Sequence, residues 1–132
     1  VATTGENSRR ILVADDDPAI LRLITTIVQK EGFQVLTARD GREAYKILQE
    51  DGDFIAAIFD VVMPHIQGTE LVRYMKTEKR LMSIPVMMMT AEQNPKLPSD
   101  SFAAGAVVFL PKPFTTTQLQ MMLRMLVNRR KP

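Results

Sequence analysis

Phe54-Ile55-Ala56-Ala57-Ile58-Phe59-Asp60-Val61-Val62-Met63-Pro64 decides the fold of this chain. From Phe54 to Phe59 the run is apolar at every position, not at every second one. That is the pattern of a strand buried on both faces, and hence of a parallel sheet. The run then stops at one carboxylate. Such a strand delivers its last side chain to the carboxyl edge of the sheet, where open α/β folds place their ligands. Asp60 is therefore a charge at the end of an apolar strand, and it requires water or a cation there.

The same alternation of strand and helix extends to either side. Upstream, the apolar residues 10–14 run into Asp15-Asp16-Asp17-Pro18, with Asp17 placed as a helix cap and Pro18 in the first turn. Ile20, Leu21, Ile24, Ile27 and Val28 follow at helical spacing, and Gly32 closes that helix as a left-handed residue. Residues 33–38 read as a second strand. Asp40-Gly41-Arg42-Glu43 fits a capping box, with Ala44, Ile47 and Leu48 on the inner face of the helix it opens. Downstream of Asp60, a loop over 61–68 leads to a helix over 69–79 that buries Leu71, Val72 and Met75. Residues 85–90 and 106–110 read as the fourth and fifth strands. Residues 115–129 read as the last helix, with Leu119, Met122, Leu123 and Leu126 inward. Between those two strands Pro95 and Pro98 each remove a backbone donor, so the fourth helix is expected to be irregular, running only from about Ser99. Five strands alternating with helices predict right-handed crossovers and a parallel sheet covered on both sides, a three-layer α/β/α domain.

At 132 residues the chain is expected to form one domain over 9–128, with a flexible extension at 1–8 and a tail at 129–132. It has no cysteine, which excludes disulfides and thiolate metal sites. No stretch approaches the roughly 20 apolar residues of a membrane span, and no signal-peptide pattern opens the chain. A soluble cytoplasmic protein without a membrane partner is expected. The formal charge of +2 misleads, because five of the 17 basic residues are Arg9, Arg10, Arg129, Arg130 and Lys131. Residues 11–128 carry 12 basic and 14 acidic groups. A nucleic-acid face needs basic residues clustered on one element, so direct nucleic-acid binding is not expected.

Four strand ends carry polar groups: Asp15-Asp16, Asp60, Thr90, and Lys112 just past Leu110-Pro111. In a parallel sheet all of them lie on one edge. Three carboxylates close together repel unless a cation joins them. An all-oxygen donor set suits Mg²⁺, to which Val62 would add its backbone carbonyl. Lys112 and Thr90 would hold the oxygens of a phosphoryl group, and an Asp carboxylate would act as the nucleophile. Taken singly, a triple Asp before a helix is more often a cap and turn, a strand-end Thr a cap, and a Lys solvated. Their order on four successive strand ends is what points to chemistry.

With those residues in place, the chain resembles the receiver domain of two-component response regulators. Ile11-Leu12-Val13-Ala14-Asp15-Asp16-Asp17-Pro18 is similar to the acidic opening of that family. Asp60-Val61-Val62-Met63-Pro64, with Gly68 after it, is similar to its phosphoacceptor strand and loop. Residues 85–91 resemble the strand that carries the switch hydroxyl, and Phe109-Leu110-Pro111-Lys112-Pro113-Phe114 its Lys-Pro-Phe end. The resemblance covers residues 9–128. It implies a flavodoxin-like strand order 2-1-3-4-5, and phosphorylation of Asp60 by a histidine kinase or phosphotransfer protein. It implies Mg²⁺ on Asp15, Asp16, Asp60 and the Val62 carbonyl, phosphoryl contacts from Thr90 and Lys112, and a cis bond before Pro113. Thr90 and Phe109 would be the switch pair, with Phe109 lacking the hydroxyl of the Tyr often found there. The fourth helix, fifth strand and last helix would form the output surface, toward an output domain or target protein. The chain would then be a monomer or weak dimer, a signalling module rather than an enzyme with turnover.

Other features read more plainly. Met87-Met88-Met89 alternate faces and are expected to fill the core. His65, the only histidine, sits in the loop after Asp60 as a surface residue or a contact for the phosphodonor. Arg129-Arg130-Lys131 suits a solvated helix end. Val62 and Glu92 are expected to flank the site. Two rival functions remain: a phosphate-independent docking module, which has no need of the full acidic set, and a phosphatase of the haloacid dehalogenase type. The latter would use the Asp-x-Asp spacing of Asp15 and Asp17, although Ala19 stands where Thr or Val is usual.

Overall fold

The computed structural model describes residues 9–129; the expected extension at 1–8 and residues 130–132 of the tail lie outside them. Among the described residues five strands and five helices alternate. They are β1 (Arg10–Ala14), α1 (Pro18–Lys30), β2 (Gln34–Ala38), α2 (Gly41–Glu50), β3 (Ala56–Asp60), α3 (Gly68–Lys76), β4 (Val86–Thr90), α4 (Leu97–Ala104), β5 (Val108–Pro111) and α5 (Thr116–Asn128). The sheet is parallel throughout, in the order β2-β1-β3-β4-β5. β3 lies at its centre and is buried at all five positions, as its uninterrupted apolar run requires.

Each strand feeds two cores. Ala57 and Phe59 pack with Met88 beneath α2, α3 and α4, around Leu48, Leu71 and Met75. Ala56 and Ile58 pack with Met87 and Met89 beneath α1 and α5, around Ile24, Val28, Leu119 and Leu123. The three consecutive methionines thus divide between opposite faces of one strand and are fully buried. The result is three layers, α2–α4 on one side of the sheet and α1 with α5 on the other.

The helix starts follow from their caps. The Asp17 side chain accepts from the Ala19 and Ile20 N–H groups, and Pro18 needs no partner in the first turn. Gly32, at φ 93°, follows the end of α1 in a conformation that side chains disfavour. Asp40 accepts from the Glu43 N–H at 2.8 Å, but Glu43 reaches back to the Arg39 N–H, one residue before the cap. Thr115 and Gln118 make a full reciprocal box.

Three boundaries differ from expectation by two residues or more. α3 ends at Lys76, because Thr77 turns onto the carbonyls of Tyr74 and Met75. β5 begins at Val108 rather than Ala106, whose N–H is spent on the Ser101 carbonyl. α4 begins at Leu97 and contains Pro98, which occupies the first turn, where the missing N–H would have had no helical acceptor. The helix is still short, eight residues, and residues 91–96 before it are irregular.

Candidate functional site

β1, β3 and β4 with β5 bring three charged groups to one point. Asp15 continues β1 because its N–H donates to the Ala38 carbonyl of β2 at 3.2 Å. Asp60 is the last residue of β3. Lys112 stays in line with β5 because its N–H donates to the Thr90 carbonyl at 2.9 Å. From there its ammonium donates to Asp15 Oδ2 at 2.7 Å and to Asp60 Oδ2 at 3.1 Å. The Lys112–Pro113 peptide bond is cis.

Both carboxylates are buried, Asp15 at 1% exposure and Asp60 at 6%. Their second oxygens are also occupied: Asp15 Oδ1 accepts from the Asp17 N–H at 2.9 Å, and Asp60 Oδ1 from the Val62 N–H at 3.2 Å. Asp16 is exposed, yet one carboxylate oxygen from each of Asp15, Asp16 and Asp60 lies within 4.8 Å of the others. The acidic residues expected to share a site therefore do so. Burial, joined by the charge of Asp15, raises the Asp60 pKa above the ordinary 3.8, although the Lys112 charge and the Lys112 and Val62 hydrogen bonds oppose it. Burial works to lower the Lys112 pKa, but the Asp15 hydrogen bond and the charges of Asp60 and Asp15 outweigh it and raise it above 10.5. The ammonium is thus locked in its charged form between two acids.

Thr90 ends β4 beside this cluster, 2% exposed. Its Oγ accepts from the Glu92 N–H at 3.1 Å, which leaves its proton for an acceptor outside the strand. Phe109 is half-buried on β5, with its ring 6.5 Å from that of Phe102 on α4. A cleft of about 280 Å³ runs from Thr90 and Lys112 to Phe109, walled by Pro95 and Pro98. Glu92 lines it, and Val62 stands 39% exposed beside Asp60.

Asp17 does not join the acidic cluster's chemistry; its carboxylate is spent on capping α1. Two glycines do more than the sequence indicates. A Cβ on Gly68 would lie 2.3 Å from the Asp60 carbonyl oxygen, so the start of α3 rests on the backbone of the acidic residue. A Cβ on Gly41 would lie 1.7 Å from the Ile66 carbonyl oxygen, so the first turn of α2 rests on the loop that follows Asp60. Gly41 was legible only as an interior member of a cap sequence; its second partner is 25 residues away and leaves no local signal.

Comparison with known proteins fits this geometry. Residues 11–124 match the family model of the response regulator receiver domain. The response regulator MprA of Mycolicibacterium vanbaalenii is 33% identical over 123 residues, 93% of this chain and 52% of the relative. The transcriptional regulatory protein GltR of Pseudomonas aeruginosa is 32% identical over 123 residues, 93% of this chain and 50% of the relative. The chain thus spans about half the length of these curated relatives. Among solved structures, the chemotaxis response regulator CheY4 of Vibrio cholerae superposes with a TM-score of 0.83 at 32% identity, covering 91% of this chain and 99% of that one. A CheY-like receiver domain protein from Methanospirillum hungatei gives 0.84 at 27% identity, covering 94% and 97%.

Proposed function

The chain belongs to the response regulator receiver domain family, and from that premise we propose that it takes a phosphoryl group onto Asp60 from the phosphohistidine of a histidine kinase or phosphotransfer protein. Receiver domains are signalling domains, so the covalent mark is the output rather than a released product. The observation that carries the proposal is the Lys112 ammonium bridging Asp15 and Asp60 at 2.7 and 3.1 Å at the buried edge of the sheet. A structural ion pair needs one acid; here one cation holds two, with a third within reach.

The donor set fits a hard divalent cation, since Asp15, Asp16 and Asp60 offer only oxygen. These residues and the Val62 carbonyl would hold Mg²⁺, which when bound neutralises charge on the phosphoryl oxygens. Asp60 attacks phosphorus through a carboxylate oxygen; a P–O bond forms, the P–N bond of the donor breaks, and the imidazole departs with its electron pair. Lys112 keeps Asp60 ionised against the pull of burial and pairs with a phosphoryl oxygen as charge accumulates. Thr90 donates its hydroxyl proton to a second phosphoryl oxygen. Movement of Thr90 toward that oxygen vacates space next to the cleft, and Phe109 turns into it. The surface of α4, β5 and α5 is thereby altered for an output domain or target protein. Cytoplasmic location and a monomeric or weakly dimeric state accord with this role.

The capping role of Asp17 weighs against a hydrolase built on Asp15 and Asp17, because the second acid is committed to the Ala19 and Ile20 N–H groups. Intact mass measurement after incubation with acetyl phosphate and Mg²⁺ tests the proposal. One added phosphoryl group on the wild type and none on Asp60→Ala is the expected result. Equal modification of both, or sustained phosphoester turnover, refutes it.

A further inference from the structure

The loop after Asp60 holds an unusual conformation. Its Ile66 N–H donates to the Pro64 carbonyl at 2.9 Å, and His65 between them has φ 72°. This is a γ-turn of the rare form with positive φ, which is strained for a residue bearing a side chain. Strain of this kind persists only where neighbouring structure over-determines it. Two contacts do so, both from the first turn of α2. Gly41 has its backbone against the Ile66 carbonyl so closely that no Cβ fits. Arg42 Nη2 donates to His65 Nδ1 at 2.9 Å, which places the ring proton of neutral His65 on Nε2.

What this tie holds in place is chemical. The same loop sends the Val62 N–H to Asp60 Oδ1 and closes on itself through the Gly68 N–H and the Val61 carbonyl at 2.9 Å. We propose that Arg42 is a positioning residue for the phosphoacceptor: through His65 it fixes the strained turn, and through the turn it sets where the Val62 backbone meets Asp60. Arg42 touches no reacting group. Its effect travels from α2 to His65, along the loop, to Val62. The consequence is that anything binding the exposed Arg42–His65 pair also adjusts the acceptor site, from a helix that α3 separates from α4 and the sheet separates from α5. The inference rests on the reading of Asp60 as phosphoacceptor for its consequence, and on geometry alone for the coupling.

The test separates the two. The amide resonance and hydrogen-exchange rate of Val62 are followed by ¹⁵N NMR in Arg42→Ala, His65→Gly and the double variant. His65→Gly removes the acceptor while tolerating the positive φ. Each single variant is expected to shift the Val62 resonance and speed its exchange about threefold to fivefold, the scale of one solvent-exposed hydrogen bond. The double variant should be no worse than the larger single effect. Arg42→Lys, which keeps a donor, should recover part of the loss. Arg39→Ala, whose side chain pairs with Glu43 of α2 and not with the loop after Asp60, should leave Val62 unchanged. An unmoved Val62 amide in Arg42→Ala, or strictly additive effects in the double variant, overturns the proposal. The rate of modification by acetyl phosphate, measured alongside, should fall by a similar factor. If the wild type is not modified at all while the Val62 amide responds, the functional reading fails and the coupling stands.

Discussion

Lys112→Met isolates the charge that organises the site, because methionine keeps much of the aliphatic length and removes only the ammonium. Lys112 and Asp60 side chains are 10% and 9% exposed, and Asp15 is fully buried. Removing one partner from a buried ionic group leaves the others uncompensated, at a cost of about 3–5 kcal/mol. The residual exposure of Lys112 and Asp60 places the expected loss near the lower end, about 3 kcal/mol at neutral pH. With a urea slope of roughly 2 kcal/mol per molar, the unfolding midpoint should fall by about 1.5 M. The pH dependence has a definite sign. Burial already raises the Asp60 pKa above 3.8, and loss of Lys112 raises it further. A carboxyl with a raised folded pKa binds its proton more tightly in the folded chain, so the variant regains stability as pH falls through that raised value. The deficit should therefore be full at neutral pH and shrink on acidification toward 3.8. Millimolar Mg²⁺ should stabilise the variant more than the wild type, because no ammonium competes for the carboxylates. A loss below 1 kcal/mol at neutral pH, or one that stays constant on acidification, would refute the assignment of Lys112 as the counter-charge for both acids.

Gly68→Ala should destabilise by about 1–3 kcal/mol in thermal unfolding, since its Cβ meets the Asp60 carbonyl oxygen at 2.3 Å, which is backbone and cannot swing aside. Gly52→Ala, whose Cβ would meet the Arg80 carbonyl oxygen and the Leu81 side chain at 3.3 Å, should cost less than Gly68→Ala. Arg10→Gln should flatten acid unfolding: the Arg10 hydrogen bond lowers the Asp51 pKa below 3.8, so the pair stabilises above that pH and loses its effect as pH falls through the lower folded value. Its exposure keeps the change within about 1 kcal/mol. Amides of residues 91–104 should exchange faster than those of β4, because α4 has eight residues, two prolines at its entry and a buried Ser101 hydroxyl without a partner; exchange as slow as β4 would contradict this. On the proposed reading, Val62 offers no polar group to orient water, so an acyl phosphate on Asp60 should outlast minutes at neutral pH, and a lifetime of seconds would count against that role for Val62.

How much of this was legible in the sequence follows from the range of each interaction. Strand β3 and the division of Met87, Met88 and Met89 between two cores were readable because burial on both faces writes itself as a continuous apolar run. The convergence of Asp15, Asp60 and Lys112 was readable because parallel strands present all their carboxyl ends to one edge, so sequence order becomes spatial proximity. The start of α4 was misplaced by two residues because proline is disruptive inside a helix but harmless in its first turn, and the sequence alone does not say which turn is first. Gly41 against Ile66, and Arg42 against His65, were not readable at all. They pair residues from elements whose relative placement is set only once the sheet has formed, and neither residue type signals its partner.

The charges at the sheet edge also explain why a hydroxyl stands among them. With all three carboxyls ionised, the set carries two negative charges beyond what Lys112 neutralises, which matches one divalent cation. On the proposed reading, conversion of Asp60 to an acyl phosphate replaces one negative charge with about two, so the site then exceeds its cations by one. A second lysine would remove that excess, but it would already be paired to the acids in the unmodified state and would stabilise both states alike. A neutral donor discriminates better. The Thr90 hydroxyl, buried and held by the Glu92 N–H through its oxygen, contributes little until an anionic oxygen arrives to accept its proton. Its contribution is then specific to the phosphorylated state, and only an interaction that differs between two states can shift the balance between them.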